Sequence, residues 1–238
     1  MIYGAILAGG VGARMGGDKP KQYLSIKGKP IIVYTIEKFF VEKDFDEVLV
    51  LCPSMWVEKT KDIIEKYIPA AAGKVTVIEG GEKRNDTIMN AIKYIEEQGN
   101  LDDDTVLVTH DSVRPFVSHR IIKDNIEALK DNDACDTVIG ATDTIVVSED
   151  GSIISDIPDR KKMYQGQTPQ SFKAKKFKEL YLSLTEEEKD VLTDGAKIFV
   201  MKGEEVALVN GDTLNMKITY PYDLRVARSL VEEEEEDA

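Results

Sequence analysis

Apolar residues along the first half of the chain form short continuous runs separated by sets with helical spacing. The runs predict buried strands over residues 2–8, 47–52, 75–79 and 105–110. The spaced sets predict helices over residues 30–41, 56–68, 84–98 and 118–132, the last with Ser118 as its N-cap. Strands that alternate with helices are typical of a mostly parallel sheet with helices on both faces, so we expect an α/β fold.

The pattern changes after Ala141. Two short β runs, over residues 144–147 and 153–157, flank an Asp150-Gly151 turn, which is typical of a β-hairpin. An isolated hairpin is marginally stable in water, so we expect this one to pack on something, for which a second subunit is one candidate. Beyond it, the sequence predicts helices over 173–184, 186–200 and 222–234, and strands over 206–210 and 215–219.

The length and charge of the chain narrow its function. Its 238 residues carry a formal net charge of −13, and six of the acidic residues form one run over residues 232–237. An acidic surface disfavours broad binding to nucleic acids or anionic membranes, but it leaves room for a local cationic pocket. We find no linker or repeat, and therefore expect a single domain over 1–238, with the acidic run at 232–238 as a solvated tail beyond the last helix.

Two further features concern the cellular compartment. The N-terminal stretch is apolar but lacks a basic leading segment, which favours a first strand over a signal peptide. Cys52 and Cys135 have no paired spacing, which indicates a reducing, cytoplasmic setting and argues against a zinc site. No apolar stretch approaches the roughly 20 residues that a membrane span needs.

The first of three distinctive loops follows the first predicted strand and is rich in glycine. Glycines let backbone N–H groups approach a phosphate, although glycines alone would indicate no more than a tight turn. Arg14 and Lys21 favour the phosphate interpretation, because two cations beside a flexible turn suit a triphosphate. The loop matches neither the Walker A pattern nor the dinucleotide fingerprint.

The other two loops follow the strands predicted over 75–79 and 105–110. The second loop, residues 80–87, either contacts a nucleotide or is a turn in which Asn85 or Asp86 caps a helix. In the third loop, Asp111 ends a buried strand, where a carboxylate must be paired or bind a metal. Mg²⁺ bound to nucleotide phosphates takes one or two carboxylates, so Asp111 is the metal candidate, with an ion pair to Arg114 as the alternative. We expect His110 to be a packed strand residue.

The order of several segments adds a more specific signal. AGGVGARM, PKQYL, GGEKRNDT, HDSVRPF, DTIV, TPQSF, LTD and NMKIT follow one another along the chain. From Ile2 to about Leu230 the chain thereby resembles the sugar-alcohol-phosphate cytidylyltransferases, which have a Rossmann-like, glycosyltransferase-A-like fold. LAGG, THDSVRPF and DIPDRKKMYQGQTPQSF are closer to the ribitol-5-phosphate branch of teichoic-acid synthesis than to the 2-C-methyl-D-erythritol 4-phosphate branch of isoprenoid synthesis. Glu82 stands where an Asp is common in the isoprenoid branch.

The resemblance implies a reaction and a set of site residues. CTP and D-ribitol 5-phosphate would form CDP-ribitol and pyrophosphate, with Mg²⁺ at Asp111, in a homodimer whose arm over residues 141–165 reaches into the partner subunit. Arg14 and Lys21 would be catalytic, and Arg160 and Lys217 would position the acceptor phosphate. The nucleotide would be bound by Leu7, Ala8, Gly9, Gly10, Gly81, Arg84, Asn85, Thr87 and Ser112.

Three alternatives remain open from the sequence. The acceptor could be 2-C-methyl-D-erythritol 4-phosphate. The chain could transfer a uridylyl or adenylyl group to a sugar 1-phosphate, since the first loop is shared with such enzymes. It could also be a nucleotide-binding module without turnover, although that hypothesis predicts the loss of Arg14, Lys21 or Asp111, all of which are present.

Overall fold

The computed structural model describes residues 1–10 and 19–236. Its strands are β1 (Ile2–Leu7), β2 (Ser25–Ile26), β3 (Lys29–Pro30), β4 (Glu47–Cys52), β5 (Val75–Glu79), β6 (Val106–Asp111), β7 (Ala134–Gly140), β8 (Tyr164–Lys173) and β9 (Ala207–Asn210). Its α-helices are α1 (Ile31–Phe40), α2 (Val57–Tyr67), α3 (Arg84–Glu97), α4 (His119–Ala128), α5 (Ala174–Leu182), α6 (Glu186–Asp190), α7 (Ala196–Met201) and α8 (Pro221–Glu236). Within that part of the chain, no helix is both long and apolar enough to cross a bilayer.

One sheet organises the fold, with the strand order β5-β4-β1-β6-β8-β7-β9. Strands β5, β4, β1 and β6 pair in parallel, as do β7 and β9. Strand β8 is antiparallel to both of its neighbours, β6 and β7. The sheet is therefore mixed but mostly parallel, and the predicted fold class is confirmed.

Alternation along the central strands builds two apolar layers, one on each face of the sheet. Ile6 and Val50 face a core that includes residues of α1, α2 and α4, whereas Leu7 and Leu51 face residues of α3 and α7. Successive side chains of a strand point to opposite faces, so a continuous apolar run is needed where both faces are covered. Each fully buried aliphatic side chain contributes about 1.5–3 kcal/mol to the free energy of unfolding. These well-packed strands therefore give any site at their ends a stable base.

Two strands of the sheet, β7 and β8, were not predicted. Strand β8 carries Gly166 and Pro169 among glutamine, threonine and serine residues, a composition that is depleted in strands. Most of its polar side chains are nevertheless buried, and they bond to groups far away in the sequence: Thr168, for example, accepts the backbone N–H of Asp111. Local apolar patterning could not indicate a strand that is stabilised in this way.

Other boundaries also differ from the expectations. Residues 215–219 are not a strand, because their backbone groups bond to side chains and loops rather than to a ladder. The helix predicted over 186–200 is two short helices, since the Asp194 carboxylate accepts the N–H of Lys197 and starts α7 afresh. Helix α8 continues through Glu236, so most of the acidic run lies within the helix and not beyond it, in keeping with the good helix propensity of glutamate.

The arm over residues 141–165 leaves the sheet after β7 and returns at β8. Its turn is at the predicted place, since Gly151 has a φ of 74° and the Val147 N–H donates to Asp156 O at 2.8 Å. A single bridge between Val147 and Asp156 joins its two sides, so the two predicted β runs do not form strands in the described structure.

Candidate active site

A cavity of about 370 Å³ opens at the edge of the sheet where β1 and β6 end. The loops after β1 and β5 and residues 217–219 form the rest of its walls. Parallel sheets bind ligands at this edge. Of the predicted site residues, it brings together Leu7, Gly9, Gly10, Lys21, Gly81, Arg84, Thr87, Asp111, Ser112 and Lys217.

Three of the predicted residues, Ala8, Asn85 and Arg160, do not line this cavity. Arg14 lies outside the described residues. Ala8 is buried with its N–H donated to Leu51 O at 2.7 Å and its carbonyl bonded by Gln22, so neither group faces a ligand. The Asn85 side chain is buried and its Nδ2 donates to Asp194 O at 3.3 Å, so its role beside the nucleotide stays a prediction. Arg160 is exposed on the arm and donates to Thr142 O at 2.9 Å.

The segment that begins at Lys21 contacts the end of β1 and the segment around residue 218. Lys21 begins a short 3₁₀ turn, Lys21–Tyr23, and its Nζ donates to Ile218 O at 2.9 Å. Gln22 Nε2 donates to Ala8 O at 2.6 Å and thereby fixes the end of β1. The lysine is only 9% exposed and lines the cavity, so its charge acts on a bound anion with less solvent screening than that of an exposed lysine.

The second loop is shaped by glycine and by the start of α3. A Cβ on Gly81 would lie 2.7 Å from the backbone nitrogen of Thr87, which leaves no room for a side chain. The Thr87 hydroxyl accepts the Gly81 N–H at 3.0 Å and donates back to the Lys83 carbonyl at 3.1 Å. The Asp86 carboxylate accepts the Lys83 N–H at 3.1 Å, so this loop both caps a helix and lines the cavity.

The third loop places one carboxylate among three cations. Lys217 Nζ lies 2.7 Å from Asp111 Oδ2, Arg114 Nε lies 3.8 Å from the same oxygen, and Arg84 Nε lies 3.7 Å from Oδ1. Burial by itself would raise the pKa of Asp111, but the charges of Arg84, Lys217 and Arg114 outweigh it and hold the pKa well below its usual range. The cluster carries a net positive charge, which suits a polyphosphate.

His110 is buried behind this cluster and does not reach the cavity. Its Nδ1 lies 2.9 Å from Thr168 Oγ1, and its Nε2 lies 3.1 Å from Arg114 O. Because Thr168 Oγ1 accepts the Asp111 N–H, its own proton is available to Nδ1, which assigns the Nε2–H tautomer. Burial lowers the pKa of His110 to about 4, so the ring is neutral and structural, as the sequence predicted.

The neutral state of His110 predicts a dependence of stability on pH. Its pKa falls from 6.5 to about 4 on folding, so its contribution is present above pH 6.5 and is lost as the pH falls towards 4. The full loss amounts to about 3 kcal/mol. Asp136 acts in the opposite direction, because burial raises its pKa to about 6 and its protonation stabilises the fold as the pH falls.

Because the two groups act in opposite directions, the contribution of His110 is measured as the difference in the free energy of unfolding between wild type and a His110 variant. We expect urea denaturation at pH 7, 5.5 and 4 to show that wild type loses about 3 kcal/mol relative to His110→Gln over this range. Parallel curves for the two proteins would contradict a buried neutral His110.

A comparison with known families agrees with this geometry. The profile of the family IspD, 2-C-methyl-D-erythritol 4-phosphate cytidylyltransferase, matches residues 2–233. The chain belongs to this family. Members of the IspD family are CTP-using cytidylyltransferases, so the chain is a nucleotidyltransferase.

Solved structures share the fold over nearly the whole chain. The 4-diphosphocytidyl-2C-methyl-D-erythritol synthase from Anaerococcus prevotii DSM 20548 is 28% identical, with a TM-score of 0.80 over 97% of this chain and 96% of that one. The 2-C-methyl-D-erythritol 4-phosphate cytidylyltransferase from Francisella tularensis is 27% identical, with a TM-score of 0.77 over 96% and 98%. The enzyme of that name from Thermus thermophilus is 26% identical, with a TM-score of 0.70 over 97% and 98%.

The site of this IspD-family chain can be tested for its fit to a metal ion. The described residues contain no group of three or more His, Cys, Asp or Glu side chains that could hold one. Asp111 offers Oδ1, which Arg84 Nε approaches to 3.7 Å. One carboxylate oxygen is enough for Mg²⁺ when phosphate oxygens and water supply the other ligands. The residues therefore fit Mg²⁺ in the company of a nucleotide.

Several residues that organise the site of this IspD-family chain were not assigned roles from the sequence. Gln22, Thr168 and Asn215 lie within the segments PKQYL, TPQSF and NMKIT, so their positions were marked but their contacts were not. The backbone carbonyl of Asn215 accepts a hydrogen bond from Arg114 Nη1 at 2.7 Å. Their partners are far away in the sequence, which no local pattern can indicate.

Proposed function

We propose that this chain transfers the cytidylyl group of CTP to a polyol phosphate and releases pyrophosphate. The observation that carries the proposal is the cation cluster of Lys21, Arg84 and Lys217, which lines the same cavity as Gly9 and Gly10. Such a wall can bind a triphosphate and an acceptor phosphate side by side.

The transfer needs positioning and charge neutralisation more than a nucleophilic side chain. An oxygen of the acceptor phosphate attacks the α-phosphorus in line and forms a new P–O bond. The bond from that phosphorus to its bridging oxygen breaks, and pyrophosphate leaves with the electron pair. Both reactants are anions, so Lys21, Arg84, Arg114 and Lys217 offset their repulsion and stabilise the charge that develops.

We propose that Mg²⁺ accompanies the nucleotide and is held by Asp111. When bound, it would neutralise charge on the triphosphate. The Asp111 carboxylate also keeps Arg84, Arg114 and Lys217 close together, which it does through the ion pairs described above.

The acceptor has two candidates. The comparisons favour 2-C-methyl-D-erythritol 4-phosphate, because the family profile and the similar solved structures carry that name. D-Ribitol 5-phosphate is supported by the segments LAGG and THDSVRPF, which are closer to the ribitol branch. The teichoic-acid role depends on this second candidate.

One assay separates the two candidates. The purified chain is incubated with CTP, Mg²⁺ and each acceptor in turn, pyrophosphate release is measured, and the CDP product is identified by mass spectrometry. Turnover at least tenfold higher with one acceptor identifies the substrate. Release with neither acceptor would overturn the proposed transfer and favour a nucleotide-binding module.

We propose that the arm over residues 141–165 forms a homodimer. It exposes apolar side chains that a partner would cover: Val146, Val147, Ile153, Ile154, Ile157 and Tyr164. A surface of this kind is typical of a protein–protein contact. Arg160 lies on the same arm and outside the cavity of its own protomer, which supports a role in the cavity of the partner.

Mixed dimers test this arrangement. If Arg160 acts across the interface, heterodimers of Arg160→Ala and Lys21→Met contain one cavity with both wild-type groups. We expect them to recover activity towards half of the wild-type rate, whereas each parent homodimer is impaired. Proven heterodimers without recovery would contradict action in trans.

We also propose a cytoplasmic location. Cys52 and Cys135 are free and buried, and burial raises the pKa of both thiols, so they are inert. Unpaired thiols agree with a reducing compartment.

A further inference from the structure

One short segment, residues 215–218, sets the positions of three cations at the site. Arg114 Nη1 donates to the carbonyl of Asn215 at 2.7 Å, and Lys21 Nζ donates to the carbonyl of Ile218 at 2.9 Å. Lys217, which lies between them, reaches Asp111 at 2.7 Å. A displacement of this segment would therefore move all three positive charges together.

The segment is not part of the sheet; the Ile218 N–H donates to Val113 O at 2.9 Å, and side chains supply further bonds that hold the segment in place. Asn215 is fully buried, and its Nδ2 donates to Thr168 O at 2.8 Å and to Gln167 Oε1 at 3.1 Å. Gln167 Nε2 in turn donates to Asp212 O at 2.8 Å, and Gln167 Oε1 accepts the Asp212 N–H at 3.3 Å. The two amide side chains join the loop before Lys217 to β8.

Gly211 shows how closely the loop approaches Gln167. A Cβ at Gly211 would overlap Gln167 Oε1 and would lie 3.1 Å from Thr137 Cγ2. The Gly211 N–H donates to Val138 O at 2.8 Å, so the backbone cannot move away without losing its bond to β7. The glycine thus permits the contact between Gln167 and the loop.

We propose that Asn215 and Gln167 are positioning residues that act through Lys217, Lys21 and Arg114. They set the spacing of the positive charges that receive the phosphates, and they contact no substrate themselves. This inference rests on the proposed cytidylyl transfer for its catalytic consequence, but the positioning of the cations can be tested by anion binding alone.

The test is a double-mutant cycle between Asn215→Ala and Lys217→Met, with pyrophosphate as the probe in calorimetry. We expect Asn215→Ala to raise the Kd of pyrophosphate about tenfold in the wild-type background and less than threefold when Lys217→Met is already present. If Asn215 only stabilises the fold, Asn215→Ala would change the Kd of pyrophosphate by the same factor with and without Lys217→Met. That result would overturn the proposal. Failure of the wild-type protein to bind pyrophosphate would also overturn the proposal.

Gln167→Met provides a second variant if Asn215→Ala does not fold, since methionine has the length of glutamine without its amide. We expect it to raise the Kd in the same background-dependent way. Gln98→Met is the matched control, because Gln98 is exposed at the end of α3, outside both the cavity and the arm, and it should leave the Kd unchanged. Equal effects of the two glutamine variants would contradict the proposal.

The same variants separate this inference from the proposed function. If wild type transfers cytidylyl groups, Asn215→Ala should lower kcat/KM at least tenfold, again less in the Lys217→Met background. If wild type transfers none but the pyrophosphate cycle is coupled, the proposed function fails and the positioning role holds.

Discussion

Replacing Lys21 with methionine is expected to lower kcat by about 10²–10³-fold while the KM for CTP changes little. The ammonium group lines the cavity and is held by Ile218 O at 2.9 Å, so it is preorganised for charge that develops on the phosphates. Methionine keeps most of the buried chain length and removes the charge. Steady-state kinetics with varied CTP and a saturating acceptor measure both constants.

Lys43→Met is the matched control for this prediction, because Lys43 is exposed and does not line the cavity. It should leave kcat unchanged. Normal turnover by Lys21→Met would remove Lys21 from the mechanism. We make the same prediction for Arg14→Ala from the sequence.

The second large effect is expected from Asp111→Asn. The variant removes the negative charge shared by Arg84, Arg114 and Lys217, which then repel each other. Removing one partner from a buried ion pair costs about 3–5 kcal/mol, but solvent screens the partly exposed Arg84 and Lys217, so we expect the free energy of unfolding at pH 7 to fall by the lower end of that range, about 3 kcal/mol. Urea denaturation measures it.

The lowered pKa of Asp111 also predicts how the stability of the fold changes with pH. The pKa of Asp111 is depressed in the fold, so its contribution is present above the unfolded value of 3.8 and is lost as the pH falls below that value. The stability difference between wild type and Asp111→Asn should therefore narrow below pH 4. Glu82→Gln, which neutralises an exposed carboxylate on the cavity wall, is the control and should have little effect. A stable Asp111→Asn protein would show that the cations do not depend on this carboxylate.

The sequence predicted those parts of the fold that local patterns encode. Strands β1, β4, β5 and β6 have continuous apolar runs and were located within a residue or two at each end. Because the carboxyl ends of parallel strands lie at one edge of a sheet, this pattern also predicts that Gly9, Gly81 and Asp111 lie close together, as they do. Strand β8 was not predicted, because it is polar and its groups form hydrogen bonds with residues far away in the sequence.

The arrangement of the site depended more strongly on tertiary contacts. Arg84 and Asn85 are adjacent in the sequence, yet the Arg84 side chain lies near Asp111 and the Asn85 side chain donates to Asp194 O. Which of two neighbouring helix residues faces the cavity depends on the packing of the loop before α7. Likewise, the spacing of NMKIT suggested a strand at residues 215–219, whereas Lys21 and Arg114 bind its carbonyls.

The antiparallel direction of β8 has a consequence for how this enzyme can diversify. Since β7 ends and β8 begins at the same rim as the cavity, the excursion between them projects beside the substrate entrance. In the proposed homodimer, insertions or substitutions there would reshape the mouth of the neighbouring active centre while the hydrophobic layers stay untouched. That arrangement would couple substrate preference to subunit association through one surface loop, so the scaffold could change acceptor without being refolded.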